Sequence, residues 1–211
     1  MAQDSSQEHS DDTLRQAAAE SVRQGEDIRQ RVHDLTLEAL KTRRFDREGI
    51  RAVVRAVSEG VSLAAPTSRA GVRHALGEAF RGMDQALTRS VQAGQEALRQ
   101  LTAAGRGISD NEVKQALAGL RRIEEDFVAT LSQVADSANE RMRPELRELL
   151  SRAKHAGTDT GRETAKLMAE FAAAGIELAG EFGVRFASLA GGVLAGMADA
   201  LQKTEGGKKA P

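Results

Sequence analysis

The chain contains no cysteine, tryptophan or tyrosine, and it has only three prolines among its 211 residues. The absence of cysteine excludes disulfides, thiol catalysis and zinc sites built on thiolates. Aromatic residues make up 3% of the chain and all of them are Phe, so the alternation of aromatic and β-branched residues that is typical of strands is nearly absent. The remaining mixture of helix formers, small residues and charged residues predicts an all-α protein.

The chain also lacks an excess of charge of either sign. Its formal net charge is −1, which provides no global attraction to nucleic acid or to an anionic membrane. We therefore do not expect nucleic-acid binding. The first residues, MAQDSSQEHSDD, are acidic and lack the apolar core of a signal peptide, and the absence of cysteine fits a cytoplasmic location.

The pattern of the chain predicts a single domain with a tail at each end. Residues 1–12 are predicted to be a disordered acidic tail, residues 13–203 a single helical-bundle domain, and residues 204–211 a disordered basic tail. The expected architecture is an elongated helical bundle of about four long helices and two short ones, with coiled-coil-like packing.

The first long helix is predicted to begin at Thr13 and to end near Arg43 and Arg44. Within it, residues at alternating steps of four and three form a heptad seam, a pattern typical of a helix packed along its whole length. The residues of the seam are Leu14, Ala18, Ser21, Gly25, Ile28, Val32, Leu35 and Ala39.

Capping residues and helix breakers mark the next two helices. A shorter helix is predicted from Asp46 to about Ala65, because Pro66 stops it. Thr67 or Ser68 can cap the following helix, which should end at Gly105 and Gly107.

Three further start signals follow. The stretch ISDNEV, residues 108–113, contains a capping box and a hydrophobic staple. Pro144 is expected to open a short helix that Gly157 closes. Thr160 and Glu163 have the spacing of another capping box, which predicts a long last helix that reaches about Lys203.

No constellation of catalytic or metal-binding residues is found in the sequence. The four histidines are scattered, and no ExxH pair, GxGxxG, Walker loop or GxSxG motif is present. His155 and Asp159 form the only polar cluster worth weighing as an acid–base site, and we prefer the explanation that they belong to a helix end followed by a helix cap. We therefore predict a protein that is not an enzyme and that needs no metal or other cofactor.

A basic patch follows the first predicted helix. Its residues could contact phosphate or an acidic partner, although a solvated helix face has the same pattern. The patch consists of Arg43, Arg44, Arg47, Arg51 and Arg55.

The predicted last helix resolves into three faces when successive residues are placed about 100° apart. Its charged residues form a narrow stripe. A second face is bulky and is a hypothesis for binding a surface or a partner: Phe171, Leu178, Phe182, Phe186, Leu189, Val193 and Met197. A third face is a ridge of small residues, a hypothesis for close helix–helix contact: Gly175, Ala179, Gly183, Ala187, Gly191 and Ala195.

This helix is too short in uncharged residues to span a membrane. Only 13 uncharged residues separate Arg185 from Asp199, which corresponds to about 20 Å of helix against a hydrocarbon core of about 30 Å. We therefore predict no transmembrane span. An association with a membrane or granule surface would be peripheral.

Over residues 13–204 the chain resembles phasins, the helical proteins that coat polyhydroxyalkanoate storage granules in bacteria. The resemblance lies in Ala-rich amphipathic helices without Cys or Trp, in the stretch LTRSVQAGQEALRQL (87–101) and in the tail KKAP. It implies a non-enzymatic protein that binds a hydrophobic granule surface and that oligomerises through coiled coils.

Two functions are therefore expected from the sequence. The first is phasin-like association with a hydrophobic surface through the C-terminal helix rich in Gly, Ala and Phe. The alternative is a self-associating helical scaffold, a homo-oligomer held by the small-residue ridge.

Overall fold

The computed structural model of the protein describes residues 2–42, 46–103 and 110–173, which form seven α-helices and no strand. In chain order these are α1 (Ala2–Arg23), α2 (Ile28–Thr42), α3 (Arg47–Ala64), α4 (Arg69–Ala103), α5 (Asp110–Ser137), α6 (Arg143–Ala156) and α7 (Asp159–Ala173). The helices pack against one another around one apolar core. The predicted all-α bundle is confirmed.

Two long pairings organise the bundle. Helix α1 packs along α3, and α2 packs along α4. Helix α5 then lies against α3 and α6, while α7 lies against α4 and α5. Helix α7 therefore contacts the two longest helices of the bundle, α4 and α5.

The predicted first long helix is two helices. Gly25 has φ +73° and Asp27 has φ +52°, so the chain turns between Arg23 and Ile28. Glycine takes this left-handed conformation without steric cost, which ends α1. Residues of the predicted seam on both sides of the turn, such as Leu14 and Val32, are buried in the same core. The apolar spacing is therefore uninterrupted although the helix itself is broken.

Helix α1 begins at Ala2, so most of the segment predicted as an acidic tail lies within the first helix. The predicted basic tail, residues 204–211, lies outside the described residues.

The starts predicted for three helices at Asp46, Ser68 and Pro144 are confirmed, and so is the predicted end at Gly157. The Asp46 carboxylate accepts a hydrogen bond from the Gly49 amide, 2.8 Å away, at the start of α3. The Ser68 hydroxyl accepts from the Gly71 amide, 3.1 Å away, at the start of α4. Pro144 lies in the first turn of α6, and Gly157, with φ +73°, ends that helix.

Two glycines allow the long pairs of helices to approach closely. A Cβ atom at Gly60 of α3 would lie 2.2 Å from the carbonyl oxygen of Arg15 in α1. A Cβ atom at Gly82 of α4 would lie 2.5 Å from the carbonyl oxygen of Arg29 in α2. Both distances are shorter than any real contact, so each pairing depends on the absence of a side chain at its crossing.

The described helices cover their own apolar side chains. Within these residues, Leu63 is the large hydrophobic residue that stands exposed, with 72% of its surface accessible. Its neighbours on the inner face of α3, including Val53, Val57 and Val61, are fully buried. This part of the chain therefore presents a polar surface with no broad apolar face.

Candidate functional site

Three carboxylates lie buried among the helices, and their partners determine what the charged residues of the bundle do. They are Asp84 in α4, Asp126 in α5 and Glu145 in α6. An isolated buried carboxylate is strongly unfavourable, so each must be paired or hydrogen-bonded. Each one joins two helices that are distant in the sequence.

Part of the predicted basic patch pairs with Asp126. Arg47 Nε lies 2.8 Å from Asp126 Oδ1, and Arg51 Nη2 lies 2.7 Å from the same oxygen. The Asp126 side chain is only 5% exposed, so these two arginines join α3 to α5. Arg55 is exposed, and Arg43 and Arg44 lie outside the described residues.

Glu145 is held in the same way at the start of α6. Arg69 Nε donates to one carboxylate oxygen at 2.6 Å, and Arg73 Nε donates to the other at 2.9 Å. These hydrogen bonds, from Arg69 first and then from Arg73, lower the pKa of Glu145 below its ordinary value. The carboxylate is therefore ionised at neutral pH and fastens α6 to α4.

The two arginine pairs, Arg47 with Arg51 and Arg69 with Arg73, have the same arrangement. Arg47 and Arg69 are the first residues of α3 and α4, and each pair has the spacing i, i+4. Positive charge in a first turn is disfavoured by the helix dipole, and the buried carboxylate offsets that cost. We interpret both pairs as structural joints between helices.

Asp84 caps the start of α7 from another helix. Its two carboxylate oxygens accept hydrogen bonds from the amides of Asp159 and Thr160, at 2.8 and 3.0 Å, and the Thr160 hydroxyl donates to it at 2.7 Å. The first amides of a helix have no partner within the helix. Asp84 provides acceptors for two of them and so fixes the position of α7 on α4.

The capping box predicted at Thr160 and Glu163 is wrong by two residues. The local cap is Thr158, whose hydroxyl oxygen accepts from the Gly161 amide at 2.9 Å and donates to Glu124 Oε1 at 2.7 Å. Thr160 lies inside α7 because Asp84 supplies the acceptor that a local capping residue would provide.

The rest of α7 is held by a mixture of polar and apolar contacts. Thr160, Thr164 and Leu167 are buried against the bundle. Towards the other end of the helix, Gln95 Nε2 donates to Glu170 Oε2 at 2.7 Å, and Arg99 pairs with the same carboxylate. Both ends of α7 are therefore attached to α4.

A groove of about 660 Å³ lies between α4 and α6 and reaches the start of α7. Its lining combines apolar residues with arginines from four helices. The apolar residues, called here the floor, are Leu76, Phe80, Leu149 and Ala153. The arginines, called here the rim, are Arg29, Arg73, Arg81, Arg152 and Arg162. This is the α4–α6 groove.

His155 and Asp159 do not form an acid–base pair in the structure. His155 Nδ1 lies 2.8 Å from the main-chain oxygen of Ser151, and Asp159 pairs with Arg162. Both residues are exposed at the end of α6 and the start of α7. They serve the helix-end chemistry that the sequence offered as the alternative.

The two predicted faces of the last helix fall beyond the described side chains. The backbone of Phe171 belongs to α7, and its side chain is outside the described residues. So are the other members of both faces. For the bulky face these are Leu178, Phe182, Phe186, Leu189, Val193 and Met197, and for the small-residue ridge they are Gly175, Ala179, Gly183, Ala187, Gly191 and Ala195.

The described part of the chain contains neither a cluster of metal ligands nor a membrane span. No group of three or more His, Asp or Glu side chains is placed there to hold a metal ion. No helix within the same residues is long and apolar enough to cross a membrane.

Among the comparisons with known proteins, the comparison with protein families gives a match. A family model described as a family of unknown function, DUF6781, matches residues 4–203. No significant match is found among curated proteins or among solved structures.

Proposed function

The chain belongs to DUF6781, a family of unknown function, and we propose that it is a non-catalytic helical protein that associates with a hydrophobic surface. The residues that bind are those of the bulky face in the predicted C-terminal helix. One observation carries this proposal. The described bundle covers its own apolar side chains except Leu63, while the sequence places a further set of Phe, Leu, Val and Met residues directly after α7.

The buried charges of the bundle support a non-catalytic role. Asp126 and Glu145 are each neutralised by two arginines, and Asp84 is occupied by the start of α7. Catalytic carboxylates need a partner that changes during a reaction and access to a substrate. These three instead hold helices together, which is the use expected of a structural protein.

The attachment of α7 supports the assignment of binding to the segment that follows it. Asp84 and Thr158 fix one end of α7, and Glu170 is held near the other end. A segment that continues from an anchored helix is presented at a defined place on the bundle. In this proposal the bundle carries the segment 174–203, and that segment makes contact with the surface.

Phasin-like behaviour is the form of this function that we favour. The resemblance implies a protein on the surface of cytoplasmic storage granules, bound peripherally and without a transmembrane span. An amphipathic face binds such a surface in proportion to the apolar area that it buries.

The bulky face is tested by flotation of the full chain with polyhydroxyalkanoate granules. Replacing Phe182 and Phe186 by Gln removes two large apolar groups, and full burial of such a side chain contributes about 1.5–3 kcal/mol. We expect the affinity for the granules to fall at least about tenfold, since 1.4 kcal/mol is a factor of ten in affinity. Glu181→Gln, on the predicted charged stripe and next to Phe182 in the sequence, is the matched control and should float as the wild type does. Equal flotation of all three proteins would contradict the proposal.

A self-associating scaffold is the second candidate, and the two close crossings favour it. Gly60 and Gly82 show that this chain uses glycine where two helices approach most closely. The small-residue ridge repeats that chemistry with Gly183 and Gly191. Replacement of both by Leu should then dissociate an oligomer in size-exclusion chromatography with light scattering, and a monomeric wild type would eliminate this candidate.

A further inference from the structure

We propose that the α4–α6 groove binds an amphiphilic anion, a small molecule in which an apolar body carries a phosphate or carboxylate group. The groove has an apolar floor and a rim of arginines, and it is separate from the segment to which surface binding is assigned. This inference does not depend on the proposed function.

Five carboxylates line the groove beside the five arginines, and the guanidinium group is the more exposed partner in each of their ion pairs. For example, the Arg81 side chain is 62% exposed, whereas the side chain of its partner Glu78 is 15% exposed. Glu145, the partner of Arg73, is almost wholly buried. Asp84 also lines the groove but is occupied by α7. Among the lining carboxylates, only Glu148 and Asp159 are substantially exposed, against five guanidinium groups.

The arginines also retain hydrogen-bond donors. A guanidinium group has five N–H donors in a planar fork that matches carboxylate and phosphate oxygens. Within the described residues, Arg29, Arg81 and Arg152 each use one nitrogen in an ion pair with a carboxylate. Each of these arginines therefore keeps donors that an anionic group in the groove can use without losing the pairs that hold the bundle.

The floor provides the contact for an apolar body. Phe80 and Leu149 are partly exposed beside the buried core, and Leu76 and Ala153 complete the floor. Gly77 lies in the same wall, and a Cβ atom placed there would meet nothing within 4 Å. Space is thus open directly beside the apolar residues.

The size of the groove fits a small ligand. Its volume of about 660 Å³ lies within the range of about 300–1,000 Å³ that is typical of ligand pockets. Ligand sites combine apolar contacts with polar groups that fix the orientation of the ligand, and this groove contains both kinds of residue. Inorganic phosphate alone would leave the floor uncovered, and a neutral apolar molecule would leave the rim without a partner.

The test is isothermal titration calorimetry of the full chain with monomeric octyl phosphate. Inorganic phosphate and octyltrimethylammonium are the comparison ligands, because one lacks the apolar body and the other reverses the charge. We expect octyl phosphate to bind at least about tenfold more tightly than either, since the floor and the rim each contribute on the order of a tenfold factor. Equal binding of inorganic phosphate or of octyltrimethylammonium would overturn the proposal, as would no detectable binding of octyl phosphate.

Two variants place the binding in the groove. Gly77→Leu fills the open space with a side chain, and we expect it to weaken octyl phosphate more than about tenfold. Arg152→Gln removes a rim guanidinium and should weaken octyl phosphate binding about tenfold, the lower end for a hydrogen bond to a charged group. The matched control is Arg147→Gln, since Arg147 lies on the same helix with 62% exposure and pairs with a surface carboxylate, as Arg152 does with 67% exposure.

The remaining outcomes also decide the question. Arg147→Gln should leave the affinity for octyl phosphate within about twofold of the wild type, because an exposed ion pair contributes little to the fold. Equal affinities for Gly77→Leu, Arg152→Gln and the wild type would place any binding elsewhere. Binding that appears only after residues 174–211 are deleted would assign the groove to that segment of the chain. Either result would overturn the proposal.

Discussion

Replacing Gly82 by alanine is expected to lower the free energy of unfolding by about 1–3 kcal/mol, the usual cost of overpacking. The added Cβ atom would lie 2.5 Å from the carbonyl oxygen of Arg29 and 3.0 Å from the amide nitrogen of His33. Both are main-chain atoms of α2, so no side chain can rotate away to make room. The two helices must move apart, and every apolar contact along their pairing weakens with that movement.

Gly77 provides a control with the opposite sign. It lies in the same helix, and a Cβ atom there would meet nothing within 4 Å. Gly77→Ala should therefore raise the free energy of unfolding by about 0.5–1 kcal/mol, because alanine is the better helix former. Urea denaturation followed by circular dichroism measures both variants. Equal stabilities for Gly82→Ala and Gly77→Ala would mean that the crossing of α2 and α4 is not as close as described.

Replacing Asp84 by alanine is expected to loosen α7 at a cost of about 2–4 kcal/mol, because a buried donor without a partner costs about 1–3 kcal/mol. The change removes the acceptor for two amides and one hydroxyl at the start of the helix. Thr160, which makes two of these bonds, is fully buried, so water does not readily replace the carboxylate. Asp84→Asn keeps the size and one acceptor oxygen, and it should cost about half as much.

Hydrogen exchange measured by mass spectrometry shows where this loss occurs. The amides of α7 should lose protection first in Asp84→Ala, while those of α2 and α3 keep theirs, because local opening needs less free energy than global unfolding. Unchanged protection of α7 would contradict the assignment of Asp84 as its cap. Equal loss of protection throughout the bundle would mean that α7 does not open separately.

Local signals in the sequence predicted most of the helices and several of their ends. Asp46, Ser68, Pro144 and Gly157 act within one turn of where they lie, so their effect can be predicted from neighbouring residues. The turn at Gly25 could not be predicted in the same way, because the apolar spacing runs through it without interruption. A heptad pattern records which residues face the core and does not record whether the backbone between them is continuous.

The ion pairs and hydrogen bonds that connect the helices could not be predicted from local sequence patterns. Asp84 and Asp159 are 75 residues apart in the sequence, and so are Arg51 and Asp126. One signal was nevertheless present. Asp84 lies beside Met83 and within a stripe that includes Phe80 and Leu87, and a carboxylate at a buried position requires a partner. The identity of that partner depends on how the helices pack, which the sequence pattern does not specify.

The α4–α6 groove was not predicted for a similar reason. Its rim brings together arginines from α2, α4, α6 and α7, and in the sequence each one looks like an ordinary residue of an exposed helix face. Helix α6 is short and is fastened to α4 through Glu145 at its start. Further along α6, Leu149, Arg152 and Ala153 line the groove that remains between the two helices.

Surface binding by the C-terminal segment can be tested with a shortened chain, and the residue at which the chain is cut must leave the bundle intact. Deleting the chain from residue 160 would leave Asp84 buried without the amide and hydroxyl of Thr160 and would disturb the bundle itself. A chain that ends at Ala173 retains all of α7 and its contacts. We therefore expect it to stay helical and to unfold cooperatively.

Flotation of this shortened chain with polyhydroxyalkanoate granules tests the central proposal most directly. The full chain should rise with the granules, and the chain that ends at Ala173 should stay in the dense fraction with its circular dichroism spectrum still helical. This result would assign surface binding to the residues beyond α7. Flotation of the shortened chain with the granules, or failure of the full chain to float, would contradict the proposal.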